Sequence, residues 1–165
     1  AELAIVIGRA GSGIKKSDAM EHIFGYTALN DVTAVDILKQ DIRASSSWVR
    51  AKAYDTFTPM GPCVVTTGSI DPPVHLDVNC RVNGEVRQAG NTQDLILNVA
   101  EIVELVSAIM TLEPGDVIAT GSPPGAGPIE PGDMIECEIP EIGSLVNHAI
   151  CEEGYTRGDL HVRGS

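Results

Sequence analysis

Residues 76–88 read Leu76-Asp77-Val78-Asn79-Cys80-Arg81-Val82-Asn83-Gly84-Glu85-Val86-Arg87-Gln88. Leu76, Val78, Cys80 and Val82 alternate with Asp77, Asn79 and Arg81, the period-two pattern of a strand with one buried face. Asn83-Gly84 supplies the two positive-φ positions that a two-residue type I′ turn requires, so a second strand returns over Glu85 to Gln88. Outward from this hairpin, other segments carry the same signature. Ile135, Cys137 and Ile139 alternate with Glu136 and Glu138, and Ser144 to Val146 gives a further strand. Leu3-Ala4-Ile5-Val6-Ile7 is an uninterrupted apolar run, as in a strand buried on both faces. Glu113-Pro114-Gly115-Asp116 recurs as Glu130-Pro131-Gly132-Asp133, and each copy turns the chain before launching apolar residues. Seventeen Gly and ten Pro fit such a turn-rich, β-rich fold.

Two short helices are expected between the strands. Ser17 caps the first, with Ala19, Met20, Ile23 and Phe24 as its apolar face and Gly25 as its stop. Asn98 and Glu101 form a capping box for the second, which runs to about Met110 on Val99, Ile102, Val103, Val106 and Ile109. Tyr26 to Val32 reads as a strand, Thr33 to Arg43 as irregular or weakly helical, and Ala44 to Trp48 as a Ser-rich flap. Residues 1–155 thus form one β-rich α+β domain, with 156–165 expected to be a flexible tail or a cloning scar. Ala1-Glu2 passes directly into the first strand without an initiator Met, so the chain is expected to begin inside a domain.

The chain has 165 residues and a formal net charge of -12. So acidic a surface is unsuited to nucleic acid or an anionic membrane, and better suited to metal cations. Cys63, Cys80, Cys137 and Cys151 contain no CxxC pair, which argues against a zinc site or a disulfide framework. No apolar run is long enough to span a membrane, and a cytoplasmic, reduced protein is expected.

Several residues invite a chemical reading. Gly8, Gly11 and Gly13 resemble a phosphate loop, but Ile14 stands where that motif needs Lys, so a plain turn is favoured. Ser122 is no nucleophile elbow, although the glycines of Thr120 to Gly127 would let backbone approach a small ligand. Glu2 and Asp31 sit at strand ends in apolar surroundings, where a bound Mg²⁺, Mn²⁺ or Ca²⁺ would relieve the cost of an unpaired carboxylate. On pattern alone Asp31 merely starts a turn with Thr33. Lys52 could steady a developing oxyanion or simply be solvated. His22, His75, His148 and His161 show no mutual spacing that suggests a site.

In order along the chain, Glu2 to Gly8, Gly25 to Asp31, Lys52 to Pro62, Val82 to Gln88 and Met110 to Pro123 resemble the fumarylacetoacetate hydrolase family. The resemblance implies a mixed β-sheet roll with a divalent-metal site, and it changes the reading of Asp31 and Lys52. Two glutamates spaced Glu-x-Glu and the Asp of an Asn-Asp pair hold the metal in that family. Carried over, they point to Glu2 and Asp31 as metal ligands, with the first glutamate falling just before Ala1. Lys52 corresponds to the active-site lysine. Ser122 falls where the family has the Thr of Gly-Thr-Pro, implying a substrate-binding role for it together with Thr120 and Gly121. Val35 replaces a frequent Arg and Leu38 a frequent Gln. Leu38 is similar to the branch that isomerises and decarboxylates 2-hydroxyhepta-2,4-diene-1,7-dioate. The implied chemistry is a 2-oxo or 2,4-dioxo carboxylate activated through an enolate by a homodimer. A catalytically silent relative serving assembly or binding is the alternative.

Overall fold

The computed structural model describes residues 1–150. Cys151, His161 and the expected tail at 156–165 lie outside the described residues. Among the described residues, eight strands form two four-stranded sheets, ordered β3-β2-β1-β6 and β5-β4-β7-β8. The first contains β1 (Glu2–Ile7), β2 (Ile23–Leu29), β3 (Met60–Thr66) and β6 (Val117–Ala119); the second contains β4 (Asp77–Val82), β5 (Glu85–Asn91), β7 (Met134–Ile139) and β8 (Gly143–His148). Every strand pair among the described residues is antiparallel. The β-rich α+β expectation therefore holds, while the sheets are antiparallel rather than mixed.

The hairpin forms as its sequence dictates. Asn83 and Gly84 take φ of 53° and 82°, the left-handed pair of a type I′ turn. Val78, Cys80 and Val82 point into the core opposite Ile135, Cys137 and Ile139 of β7. On the outer face Arg81 bridges Glu138 at 2.6 Å and Glu136 at 3.6 Å. Leu3, Ala4 and Ile5 are wholly buried, as the uninterrupted apolar run requires of a strand between two neighbours. The first sheet packs on the second through β2 and β3, which lie against β7 and β8. Tyr26 sits fully buried, and its hydroxyl has no hydrogen-bond partner among the described residues.

The expectations for residues 17–43 need three corrections. Ser17 to Phe24 contains only a 3-10 turn at Ala19–His22, and β2 already begins at Ile23, leaving Phe24 half exposed rather than on a buried helix face. That strand ends at Leu29, not Val32. Thr33 to Arg43 holds a regular helix, α1 (Val35–Arg43), followed after the Ser-rich loop by the single turn α2 (Val49–Lys52). Buried Asp41 of α1 is clamped by the Arg50 guanidinium of α2. The third helix, α3 (Val99–Ile109), carries the expected capping box: the Glu101 amide donates to Asn98 Oδ1 at 3.1 Å, and the Asn98 amide donates to Glu101 Oε2 at 2.9 Å. No helix among the described residues is long and apolar enough to cross a membrane.

Candidate active site

Register brings the two candidate carboxylates together. Antiparallel pairing sets Glu2 at the start of β1 opposite Leu29 at the end of β2, and Asn30-Asp31 follows directly. On the other side of β1, Ala4 pairs with Ala119 of β6, so the chain leaving β6 passes Glu2. There the Gly121 amide donates to Glu2 Oε2 at 2.7 Å. The Thr120 hydroxyl and amide both donate to the Leu3 carbonyl, at 2.9 Å and 3.1 Å, and secure this loop to β1. Lys52 arrives from a third direction. The Ala34 amide donates to the Ala51 carbonyl at 2.9 Å, docking α2 beside the turn after β2. From there Lys52 Nζ donates to Asp31 Oδ2 and, at 3.1 Å, to Thr33 Oγ1.

These groups face one open cleft of about 790 Å³ between the two sheets, α1 and the loop after β6. Glu2, Asp31, Lys52 and Ser122 all line it. Thr120 and Gly121 instead line a smaller cavity of about 200 Å³ beside β5, which Ser122 also touches. Burial pushes the Glu2 carboxyl above its ordinary value against the opposing pull of the Gly121 amide, and the Asp31 charge pushes it further up. Two carboxylates sharing a cleft, one desolvated, make a hard-oxygen donor pair. Mg²⁺ and Mn²⁺ are commonly bound by one or two carboxylates, completed by water and substrate oxygens. The donor chemistry therefore fits a hard divalent cation, although no group of three acidic, His or Cys side chains gathers at one point among the described residues.

Other expected positions are placed plainly. Val35, half exposed at the start of α1, lines the cleft and offers it no charge. The Gly8 to Gly13 turn presents no free amide row to a phosphate. Gly8 N donates to His22 O at 2.8 Å, Gly11 N to Leu112 O at 3.0 Å and Gly13 N to Ser107 O at 2.8 Å. His22, His75 and His148 do not line the cleft.

Sequence reasoning missed Arg87 and Gln88, which line the same cleft as Lys52. A β-bulge is the reason. Arg81 pairs with Val86, but Cys80 pairs with Gln88, so Arg87 is an extra residue on β5. A bulge bends its strand and re-aims the side chains beside it. Gln88 is buried and donates to the Pro123 carbonyl at 2.7 Å, holding the loop after β6 against the second sheet. Gly125 passes so close to the Arg87 carbonyl that a β-carbon would lie 1.9 Å from it, and its φ of 110° likewise favours glycine. No local signal for the bulge exists, because neither bulge residue is Gly.

Residues 1–150 match the family described as Fumarylacetoacetate (FAA) hydrolase C-terminal. An uncharacterized protein of Methanocaldococcus jannaschii is 52% identical over 92% of this chain and 61% of its own length. The human mitochondrial oxaloacetate tautomerase FAHD2A is 43% identical over 90% of this chain and 49% of its own. Among solved structures, fumarylpyruvate hydrolase from Pseudomonas aeruginosa, in complex with Mn²⁺ and pyruvate, superposes with a TM-score of 0.88 at 32% identity, over 92% of this chain and 64% of that one. The chain thus spans about half to two-thirds of the length of these relatives. A family match along nearly the whole described chain, carried by the same antiparallel core that brings Glu2, Asp31 and Lys52 to one cleft, makes this chain a member of the fumarylacetoacetate hydrolase family.

Proposed function

We propose that the cleft belongs to a divalent-metal-dependent enzyme that acts on small 2-oxo or 2,4-dioxo carboxylates through an enolate. The observation that carries the reading is the convergence of Glu2, Asp31 and Lys52, from three separate elements, on one cleft. Glu2 and Asp31 would hold Mg²⁺ or Mn²⁺, the latter being the ion bound with pyruvate in the Pseudomonas aeruginosa relative. Such an ion supplies Lewis-acid stabilisation to substrate oxygens. The chain's own residues do the rest. Lys52, steadied by Asp31 and Thr33, presents an ammonium to the oxygen on which charge builds as a proton moves or a carbon-carbon bond breaks. Gly121 orients the Glu2 carboxylate through its amide. Ser122, exposed at the rim where both cavities meet, is placed to meet a substrate carboxylate. Arg87, also exposed, offers a second cation for the far end of a dicarboxylate.

Relatives named as tautomerase, hydrolase and dienedioate isomerase share this core, which supports one enolate chemistry with varied outcomes. The test is Mg²⁺- or Mn²⁺-dependent turnover of oxaloacetate, an acylpyruvate and 2-hydroxyhepta-2,4-diene-1,7-dioate, with the chain assayed alone and extended by the residues encoded before Ala1. Metal-dependent turnover of at least one of the three supports the reading. A chain that binds Mn²⁺ but turns over none in either form refutes it. The silent-relative reading draws on the absence of a three-donor cluster among the described residues. It predicts neither metal binding nor turnover. Self-association as a homodimer completes the proposal, supported by β3, an edge strand with exposed Met60 and Val64.

A further inference from the structure

Two buried thiols are used by nothing described above. Cys80 and Cys137 are register partners on β4 and β7, the two central strands of the second sheet. The Asn83 amide donates to the Met134 carbonyl at 2.9 Å. That pair continues the β4–β7 register, so hydrogen-bonded pairs fall at Asn83/Met134, Arg81/Glu136 and Asn79/Glu138. Cys80/Cys137 is therefore a non-hydrogen-bonded pair, in which α-carbons approach to about 4.5 Å and side chains meet most closely. A disulfide spans about 4.4–6.8 Å between α-carbons. Both side chains point to the inner face, with Val78 and Val82 on one strand and Ile135 and Ile139 on the other. Beside the Cys137 thiol, and with a smaller pull from Arg87, Cys80 is pushed down to about 6, while Cys137 is pushed up by Cys80 and by burial. Cys80, though buried, lines the cleft, whereas Cys137 does not. Exposed Cys63 lies on β3, in the other sheet.

We propose that Cys80, in the cleft wall, and its register partner Cys137 form a reversible thiol–disulfide pair that a small hydroperoxide oxidises. Cys80 sulfur attacks one oxygen of the peroxide and the O–O bond breaks. This leaves a sulfenic acid on Cys80, and the departing hydroxide takes up the thiol proton to leave as water. Cys137 sulfur then attacks Cys80 sulfur; the S–S bond forms, the S–O bond breaks, and the hydroxyl leaves as a second water with the Cys137 proton. Two thiols are oxidised and one peroxide is reduced, with no further reactant.

The test treats the folded chain with hydrogen peroxide, blocks free thiols with an alkylating agent, and maps peptides by mass spectrometry. The expected result is a Cys80–Cys137 linked peptide lighter by two hydrogens, reversed by dithiothreitol, and formed far less in urea-unfolded chain. A Cys137→Ser variant is expected to trap the sulfenic acid on Cys80 with dimedone. Alkylation of both residues after peroxide treatment would overturn the proposal. So would a bridge from either residue to Cys63 or Cys151, or equal linking in folded and unfolded chain. Dimedone labelling of Cys137 in Cys80→Ser that matches Cys80 labelling in Cys137→Ser would overturn the order of attack.

Discussion

Replacing Lys52 by Met separates the two tasks assigned to that ammonium. Lys52 binds Asp31, the same carboxylate that would ligate a cation, so the two positive charges would compete for it. The ion pair is partly solvated, with side-chain exposures of 36% for Lys52 and 23% for Asp31. A pair of that kind is worth about 1 kcal/mol after solvent screening. Losing the competitor should therefore tighten Mn²⁺ binding by about fivefold. Turnover should move the other way, because removing a donor aimed at developing charge typically costs about 10²–10³-fold in kcat. Isothermal titration with Mn²⁺ and steady-state kinetics on the same Lys52→Met sample give both numbers. Weaker Mn²⁺ binding would show that Lys52 positions Asp31 rather than competes for it. Unchanged kcat would remove Lys52 from the chemistry.

Arg87→Gln should raise KM for a dicarboxylate substrate about tenfold while leaving kcat and a monocarboxylate's KM nearly unchanged, since only the former has a second charge for the guanidinium. Equal effects on both substrates would take Arg87 out of substrate recognition. Tyr26→Phe removes a buried hydroxyl that has no partner among the described residues and keeps the ring, so thermal denaturation should show Tm unchanged or raised by about 2–4 °C. A drop of that size would reveal a partner for the hydroxyl. Glu101 is held below its ordinary carboxylate value by Lys16 first and by the Asn98 amide second. A depressed folded-state value makes its contribution to stability fully present above the ordinary value of 4.5 and lost as pH falls through the lower folded one. Acid unfolding curves of wild type and Glu101→Gln should therefore converge below that window, and parallel curves would contradict a charge-dependent contribution of Glu101 to stability.

How far the sequence could be read depended on whether the signal was local. The hairpin at Asn83-Gly84 and the cap at Asn98 are written in adjacent residues, and both formed as expected. The helix α1 was hidden because one of its two buried positions is Asp41, a charge made tolerable only by Arg50 on the next helix. Phe24 suggested an apolar helix face, yet it lies on the exposed side of a strand whose other residues β1 and β3 cover. In the cleft, Glu2, Asp31 and Lys52 were named as candidates, but which groups would touch was set by strand register. Arg87 and Gln88 were invisible because a bulge is a property of two strands together.

In the proposed function, Glu2 and Asp31 hold a divalent cation that a 2-oxo acid then shares. Mn²⁺ electron paramagnetic resonance titrations of wild type and Asp31→Ala, each with and without pyruvate, test it most directly. Wild type should bind Mn²⁺ more tightly with pyruvate present, and Asp31→Ala should bind it about a hundredfold more weakly with no effect of pyruvate. Identical Mn²⁺ affinity in the two proteins would contradict it.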